Sequence, residues 1–132
     1  MYRADQSISL ATVIRIDEEV PISSRRMQKS NPLTIVASRR HGGEALEACV
    51  AVLNKHFTAI EKTNMGSSLK LCLIAEGKAD LYPRLAPTSE WDTAAGVCIL
   101  EGAGGKVIDL QGQFLKYNTK EDIKSPPFFA SA

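Results

Sequence analysis

The feature that most constrains the fold is an alternation of short apolar runs with segments of helical spacing. Residues 33–38 form an apolar run of the length and composition of a buried strand. After the two glycines at 42–43, apolar residues recur at the spacing of a helix: Leu46, Cys49, Val50, Leu53 and Phe57. Strands that alternate with helices of this length form sheets covered by helices, so the chain is predicted to be an α/β domain.

Further patterns predict the remaining elements. A second helix is expected to begin at Ser67 or Ser68 and to turn Leu69, Cys72 and Leu73 inward. The other predicted elements are strands at 7–16, 58–62 and 79–84, a loop at 21–32, a helix from 91 to about 102–105, and a closing strand pair from 106 with a turn at 111–112. The residues before 33 are expected to pack poorly or to pair with another molecule, because a strand with an open edge tends to find a partner.

The start of the third helix carries the most informative local motif. Ser89 and Asp92 have the S-x-x-D spacing of a capping pattern, and Trp91 stands between them. A carboxylate in the first helical turn is favoured by the unpaired N–H groups there. It can also hold a divalent cation beside a phosphate. For the motif alone, a simple cap remains the commoner explanation.

Several blocks around this motif make the chain resemble the inositol monophosphatase superfamily of metal-dependent phosphatases, and most closely its bisphosphate nucleotidase (CysQ-like) branch. The blocks occur in the order and spacing of the family: S-R-R-H at 38–41, G-S-S-L-K at 66–70, C-L-I-A-E-G-K-A-D-L-Y-P-R at 72–84, W-D-T-A-A-G at 91–96, E-G-A-G-G at 101–105 and D-L-Q-G at 109–112. The resemblance implies the C-terminal sheet-and-helix domain of the sugar-phosphatase fold. We expect that domain at 33–132, with 1–32 as a remnant of the N-terminal domain and a linker.

The resemblance also shows what this sequence lacks. The N-terminal domain of the family carries a D-P-x-D-G-T loop and an acidic pair that supply most of the metal ligands. No Asp in this chain is followed three residues later by another Asp, and Asp-Gly does not occur. The chain therefore looks like the C-terminal half of the enzyme. We expect it to be inactive alone, because one carboxylate does not hold the pair of metals that such hydrolysis uses.

The resemblance assigns site residues position by position. Asp92 is expected to bind Mg²⁺ and to touch the substrate, since magnesium prefers carboxylate oxygens. Lys70, near the start of its helix, and Arg84 are expected to contact phosphate, although a solvated surface position is an alternative for each. Ser38, His41 and Ser67 are expected to contact the substrate without acid–base roles. No catalytic side chain is assigned, and Trp91 is expected to pack between domains.

The implied activity is the magnesium-dependent conversion of adenosine 3′,5′-bisphosphate to AMP and phosphate in sulfur assimilation. The rival within the superfamily is an inositol monophosphatase, whose members resemble this chain at residues 91–96 but typically lack Lys70. A second phosphate needs extra cationic contacts, which favours the nucleotidase. The rival from another class is a truncated or self-associating fragment without catalysis.

Composition limits the partners of the chain. Its 16 Lys and Arg balance 15 Asp and Glu, so no attraction to nucleic-acid polymers is indicated. No apolar run reaches membrane-spanning length, and no signal peptide is evident. Cys49, Cys72 and Cys98 are widely spaced in apolar stretches and indicate buried thiols of a reducing cytoplasm. Homo-oligomers are expected to form through the face that a missing domain would leave bare.

Overall fold

The structure is a computed structural model that describes residues 1–5, 10–15, 18–38 and 43–132. Ten strands and three helices are assigned within those ranges. In chain order they are β1 (Tyr2–Asp5), β2 (Leu10–Arg15), β3 (Glu18–Ile22), β4 (Leu33–Ala37), α1 (Gly43–Leu53), β5 (Ile60–Asn64), α2 (Leu69–Ala75), β6 (Leu81–Arg84), β7 (Thr88–Ser89), α3 (Glu90–Gly102), β8 (Lys106–Asp109), β9 (Lys124–Ser125) and β10 (Phe128–Ser131). None of the described helices is long and apolar enough to cross a membrane.

A mixed five-stranded sheet in the order β5-β4-β6-β10-β8 organises the domain. Strand β4 runs parallel to β5 and β6, whereas β10 pairs antiparallel with β6 and β8. The apolar run that predicted a buried strand is β4, where Ile35 and Val36 are fully buried. The strand predicted at 58–62 begins two residues later, at Ile60.

Alternate residues of β4 point to opposite sides of the sheet, and helices cover both of these faces. Leu33, Ile35 and Ala37 belong to the apolar cluster that includes residues of α1. Val36 belongs to a larger cluster that includes residues of α2 and α3. The prediction of an α/β domain is confirmed.

The segment before residue 33 corrects one expectation. Strands β1, β2 and β3 form their own antiparallel sheet, with β2 in the centre. Ala11 and Val13 of β2 are 1% and 4% exposed. Tyr2 packs against the larger cluster, and its hydroxyl donates to the Glu76 carboxylate at the end of α2. The expectation of poor packing is wrong for the described residues, because the strands pair with one another. The domain boundary at residue 32 remains a prediction.

The loop that follows β3 is also fixed. Arg25 makes a two-pronged ion pair with Asp80, with Nε 2.7 Å from Oδ1 and Nη2 2.9 Å from Oδ2. Oδ2 of this buried carboxylate also accepts a hydrogen bond from the Thr34 backbone N–H at 2.7 Å. The ion pair raises the pKa of Arg25. The loop is therefore tied to the first residues of β4.

Helix α2 corrects the predicted inner face. Of the residues predicted to point inward, Cys72 is buried and Leu73 packs against the larger cluster, but Leu69 is 48% exposed. Lys70 and Leu71 are buried instead. The short helix lies against α3, and a Cβ added to Gly96 of α3 would lie 2.6 Å from Leu71 Cδ1. Leu71 therefore packs inward against α3, which the spacing of apolar residues in α2 does not reveal. Of the three cysteines, which are all free, Cys72 is buried, whereas Cys49 and Cys98 are partly exposed.

A candidate phosphate and metal site at the starts of two helices

A cavity of about 400 Å³ lies where the chain leaves β4 and β6 and enters α2 and α3. Its wall includes five of the predicted site residues: Ser38, Ser67, Lys70, Arg84 and Asp92. The sixth, His41, lies outside the described residues, as do Arg39 and Arg40. Ser38 directly follows β4 and Arg84 ends β6, so the cavity sits at the carboxyl ends of parallel strands. Ligands of open α/β sheets bind at these ends.

Asp92 lies in the first turn of α3 and partly caps it. Ser89 precedes the helix in an extended conformation, and its backbone N–H donates to Asp92 Oδ2 at 3.2 Å. The Thr88 hydroxyl donates to the same oxygen at 3.3 Å. Among the described residues both of these bonds use Oδ2, so Oδ1 of this exposed carboxylate is available to a ligand. Capping and metal binding are therefore compatible at Asp92.

A segment near the C-terminus fixes the start of α3 from outside. Strand β7 pairs with β9, and the Glu90 backbone N–H donates to Ile123 O at 2.8 Å. Glu90 Oε2 accepts a hydrogen bond from the Asn118 N–H at 2.9 Å. One turn further, the hydroxyls of Thr93 and Tyr117 are 3.0 Å apart. Burial raises the pKa of Tyr117.

Lys70 is 3% exposed, which excludes the solvated surface position for this residue. Its Nζ donates to Ser67 O at 2.7 Å and to Met65 O at 3.2 Å. The ammonium also lies 5.1 Å from the centroid of the Tyr82 ring, within the range of a cation–π interaction. Burial, and secondarily the positive charge of Arg84, lowers the pKa of Lys70 below its ordinary 10.5.

The turn before α2 differs from the predicted cap. Ser68 occupies the N-cap position, but its side chain makes no capping hydrogen bond. Ser67 has a positive φ of 59°, and its hydroxyl accepts only a long 3.5 Å bond from the Leu69 N–H. The capping role predicted for these serines is therefore at most weak. Both serines lie on the cavity wall.

Arg84 supplies a second cation to the cavity. Its Nη2 donates to Pro87 O at 2.9 Å, whereas its buried Nε has no hydrogen-bond partner among the described residues. A buried donor without a partner is costly, and a bound anion would satisfy it. Burial raises the pKa of the adjacent Tyr82, although Arg84 opposes this effect.

Sequence reasoning missed the contribution of Tyr82 and Thr93 to the cavity wall. Both residues lie inside the sequence blocks that carried the family resemblance. Those blocks could have pointed to them, but no function was assigned to either residue. Trp91 is 68% exposed and also lines the cavity. Its predicted packing between domains is not tested.

The cavity offers a metal ion one carboxylate. Asp92 is the acidic residue on its wall, and the described part of the chain contains no group of three or more His, Cys, Asp or Glu side chains that could hold a metal. Magnesium commonly takes one or two carboxylates and keeps several waters. The residues present therefore fit one ligand of a magnesium site.

Curated relatives match most of this chain. The 3′(2′),5′-bisphosphate nucleotidase CysQ of Salmonella typhimurium is 45% identical over 103 residues, which are 78% of this chain and 40% of that protein. The protein of the same name from Escherichia coli K12 is 42% identical over 106 residues, or 80% of this chain and 42% of that protein. The chain thus spans about two-fifths of the length of these relatives.

Solved structures agree with the sequence match. CysQ from Bacteroides thetaiotaomicron aligns with a TM-score of 0.77 and 42% identity, covering 89% of this chain and 42% of that one. The inositol monophosphatase from Anabaena aligns with a TM-score of 0.61 at 22% identity, covering 92% of this chain and 48% of that one, and supports the fold alone. Residues 10–130 match the model of the inositol monophosphatase family, and the chain belongs to that family.

Proposed function

We propose that this chain supplies the substrate-binding wall and one metal ligand of a magnesium-dependent 3′(2′),5′-bisphosphate nucleotidase. The reaction is the conversion of adenosine 3′,5′-bisphosphate to AMP and phosphate. The observation that carries the proposal is the cavity in which Lys70, Arg84 and Asp92 meet. The identity of 42–45% to proteins named as bisphosphate nucleotidases supports the substrate class.

The chemistry of the wall suits a substrate with two phosphates. Lys70 and Arg84 bring two positive charges to one cavity, and the unpartnered Nε of Arg84 is a ready donor to a phosphate oxygen. Hydrolysis of phosphate monoesters is very slow without a catalyst. Magnesium supplies an activated water and neutralises the charge of the leaving oxygen. In this proposal Oδ1 of Asp92 is a ligand of the ion, while Oδ2 holds the side chain against Ser89.

We further propose that the isolated chain does not turn over the substrate. The proposed reaction uses a pair of metals, and one carboxylate on the cavity wall does not hold a pair. The remaining ligands would come from carboxylates outside the described residues or from another chain. The expected self-association through a bare apolar face stays a prediction, which light scattering of the purified chain would check.

A chimera tests the nucleotidase proposal directly. The part of Salmonella typhimurium CysQ that matches this chain is replaced by the matching residues of this chain, so the rest of the molecule comes from that protein. The chimera should release phosphate from adenosine 3′,5′-bisphosphate only when Mg²⁺ is present. A preference for inositol 1-phosphate would instead support an inositol monophosphatase. A folded chimera without activity on either substrate would support the non-catalytic fragment.

The isolated chain gives a second test. It should show no magnesium-dependent release of phosphate from the bisphosphate, yet should bind that nucleotide more tightly than AMP in calorimetry. Clear turnover by the 132-residue chain would overturn its proposed inactivity. Translating the gene upstream of Met1 and searching for an acidic pair and D-P-x-D-G-T would show whether the missing ligands belong to the same polypeptide.

A further inference from the structure

A left-handed serine lies in the cavity wall. Ser67 has a φ of 59°, and it is one of two non-glycine residues with positive φ in the described part of the chain. This conformation is disfavoured for a residue with a Cβ, because that atom approaches the following carbonyl too closely. Such a residue persists only when surrounding contacts hold it in place.

Lys70 provides contacts of this kind. Its ammonium donates to the carbonyls of Ser67 and Met65 at 2.7 Å and 3.2 Å. Charge-assisted hydrogen bonds are stronger than neutral ones, and this donor is buried where water competes little. One side chain thus joins both ends of the Met65–Ser67 segment from the inside of the domain.

The ammonium is also confined on another side. The Tyr82 ring lies 5.1 Å from Nζ and packs edge-to-face on Phe128, with ring centroids 5.6 Å apart. A lysine has three N–H donors, and two of these go to backbone carbonyls. Most of the hydrogen-bonding capacity of Lys70 is therefore used within the protein. Its charge still acts on an anion in the cavity.

We infer that Lys70 is a positioning residue: it holds Ser67 in the left-handed conformation and so places Ser67 and Ser68 on the cavity wall. This gives Lys70 a task beyond the direct phosphate contact expected from the family resemblance. The inference rests on the proposed role of the cavity as the phosphate site. Its test therefore begins with measurements that need no ligand.

The first experiment measures coupling between positions 67 and 70 in the whole chain. Lys70→Met keeps side-chain length but removes both hydrogen bonds. It should abolish the strong intraresidue HN–Hα NOE by which NMR reports a positive φ at Ser67, and lower Tm by about 4 °C. With Ser67→Gly already present, Lys70→Met should lower Tm by less than half as much, because glycine adopts positive φ freely. Equal losses in both backgrounds, with the NOE retained, would overturn the inference.

If Lys70→Met does not fold, a matched pair of glycine variants at positions 67 and 68 still tests the inference. Ser67→Gly should leave Tm unchanged or raise it, because it relieves the strain of a positive φ. Ser68→Gly should lower Tm, because Ser68 has a helical φ of −66° and glycine only adds freedom to the unfolded chain. If the two glycine variants lose the same Tm, Ser67 is not strained and the inference fails.

The second experiment separates positioning from charge. Lys70→Met should weaken calorimetric binding of adenosine 3′,5′-bisphosphate about tenfold, and adding Ser67→Gly should restore about a third of that loss on a logarithmic scale. No restoration would mean that Lys70 acts on the ligand by charge alone, which overturns its positioning role. If the unsubstituted chain binds no bisphosphate, the proposed function fails, while the coupling of the first experiment still decides the link between Lys70 and Ser67.

Discussion

The two helices that border the cavity begin in different ways. Helix α3 starts with a local device, in which Ser89 is extended and its N–H is bound by Asp92 three residues later. Helix α2 starts at Ser68, which already has helical dihedral angles and whose side chain caps nothing. The turn before it depends on Lys70, a buried side chain from within the helix.

Because the two helices begin differently, substitutions at their starts should have different consequences. At α3 the Asp92 carboxylate is exposed, and its hydrogen bonds come from Thr88 and Ser89, which are its neighbours in sequence. Single substitutions there should therefore have single effects. At α2 the cation is buried among the Ser67 carbonyl, the Met65 carbonyl and the Tyr82 ring. A change there should alter charge, backbone conformation and packing together, because interacting groups do not contribute additively.

The largest expected effect tests whether Asp92 is more than a cap. In the chimeric enzyme, Asp92→Asn should lower kcat by about 10²–10⁴-fold, since a neutral amide is a poor magnesium ligand and metal stabilisation contributes several kcal/mol. The fold should survive, because Asn and Asp cap helices about equally well. Kinetics at saturating Mg²⁺ and urea unfolding of the same variant check both statements. Near-normal kcat would reduce Asp92 to a cap and remove the metal assignment.

The next effect concerns the contact that the two helices share. Gly96→Ala should lower the free energy of unfolding by about 1–3 kcal/mol, because inserting a methyl into a packed interface forces shifts. The new Cβ would lie 2.6 Å from Leu71 Cδ1 and 3.1 Å from Leu71 Cβ. The matched control is Gly66→Ala, where an added Cβ meets nothing within 4 Å. Urea denaturation compares the two, and equal stability would mean that α2 and α3 are not tightly packed at Gly96.

The contrast between the helices also explains what sequence could predict. The cap of α3 could be predicted from residues 89–92, and buried β4 from its mainly apolar run. Both depend on local interactions, which a sequence displays directly. The family resemblance then brought Ser38, Lys70, Arg84 and Asp92 together, and they do line one cavity.

Several predictions failed where the structure depends on contacts that hydrophobic spacing does not show. The inner face of α2 depends on Gly96 and Leu71, which lie on different helices. The capping expected of Ser67 failed because a lysine three residues later binds its carbonyl and the residue adopts positive φ. The error at the N-terminal segment has a different origin: it was expected to lack partners, but its strands pair with their neighbours along the chain. Hydrophobic spacing carries no information on such pairings.

A smaller effect tests how much the start of α3 depends on its contact with Tyr117. Tyr117→Phe removes only the hydroxyl that lies 3.0 Å from Thr93 Oγ1, and Thr93 keeps its 3.3 Å bond to Glu90 O. The expected loss is about 0.5–1.5 kcal/mol of unfolding free energy, the usual contribution of one hydrogen bond. Thermal unfolding measures it, and affinity for the bisphosphate should stay unchanged. A large loss of affinity would show that the α3 start depends on its tertiary contact as much as α2 does.

The smallest expected effect is a pH dependence that separates the charge of Lys70 from its hydrogen bonds to the backbone. Because burial and Arg84 lower the pKa of this residue, its charge should be lost in an alkaline window centred below pH 10.5. The sign for stability follows from the same shift: folding disfavours the charged form, so this residue contributes more stability as pH rises through its lowered pKa toward 10.5. A neutral amine still has two N–H donors, enough for the carbonyls of Ser67 and Met65. Alkaline pH therefore removes the charge and leaves the turn in place, whereas Lys70→Met removes both.

Affinity for the bisphosphate should accordingly fall about fivefold across that window, the scale of one screened charge, while the positive-φ NOE of Ser67 persists. The Lys70→Met variant should show no such titration and should lack the NOE at every pH. Calorimetry and NMR on the same samples measure both quantities. If the NOE disappears together with the affinity as pH rises, the charge itself holds the turn, and α2 begins through electrostatics rather than through two hydrogen bonds.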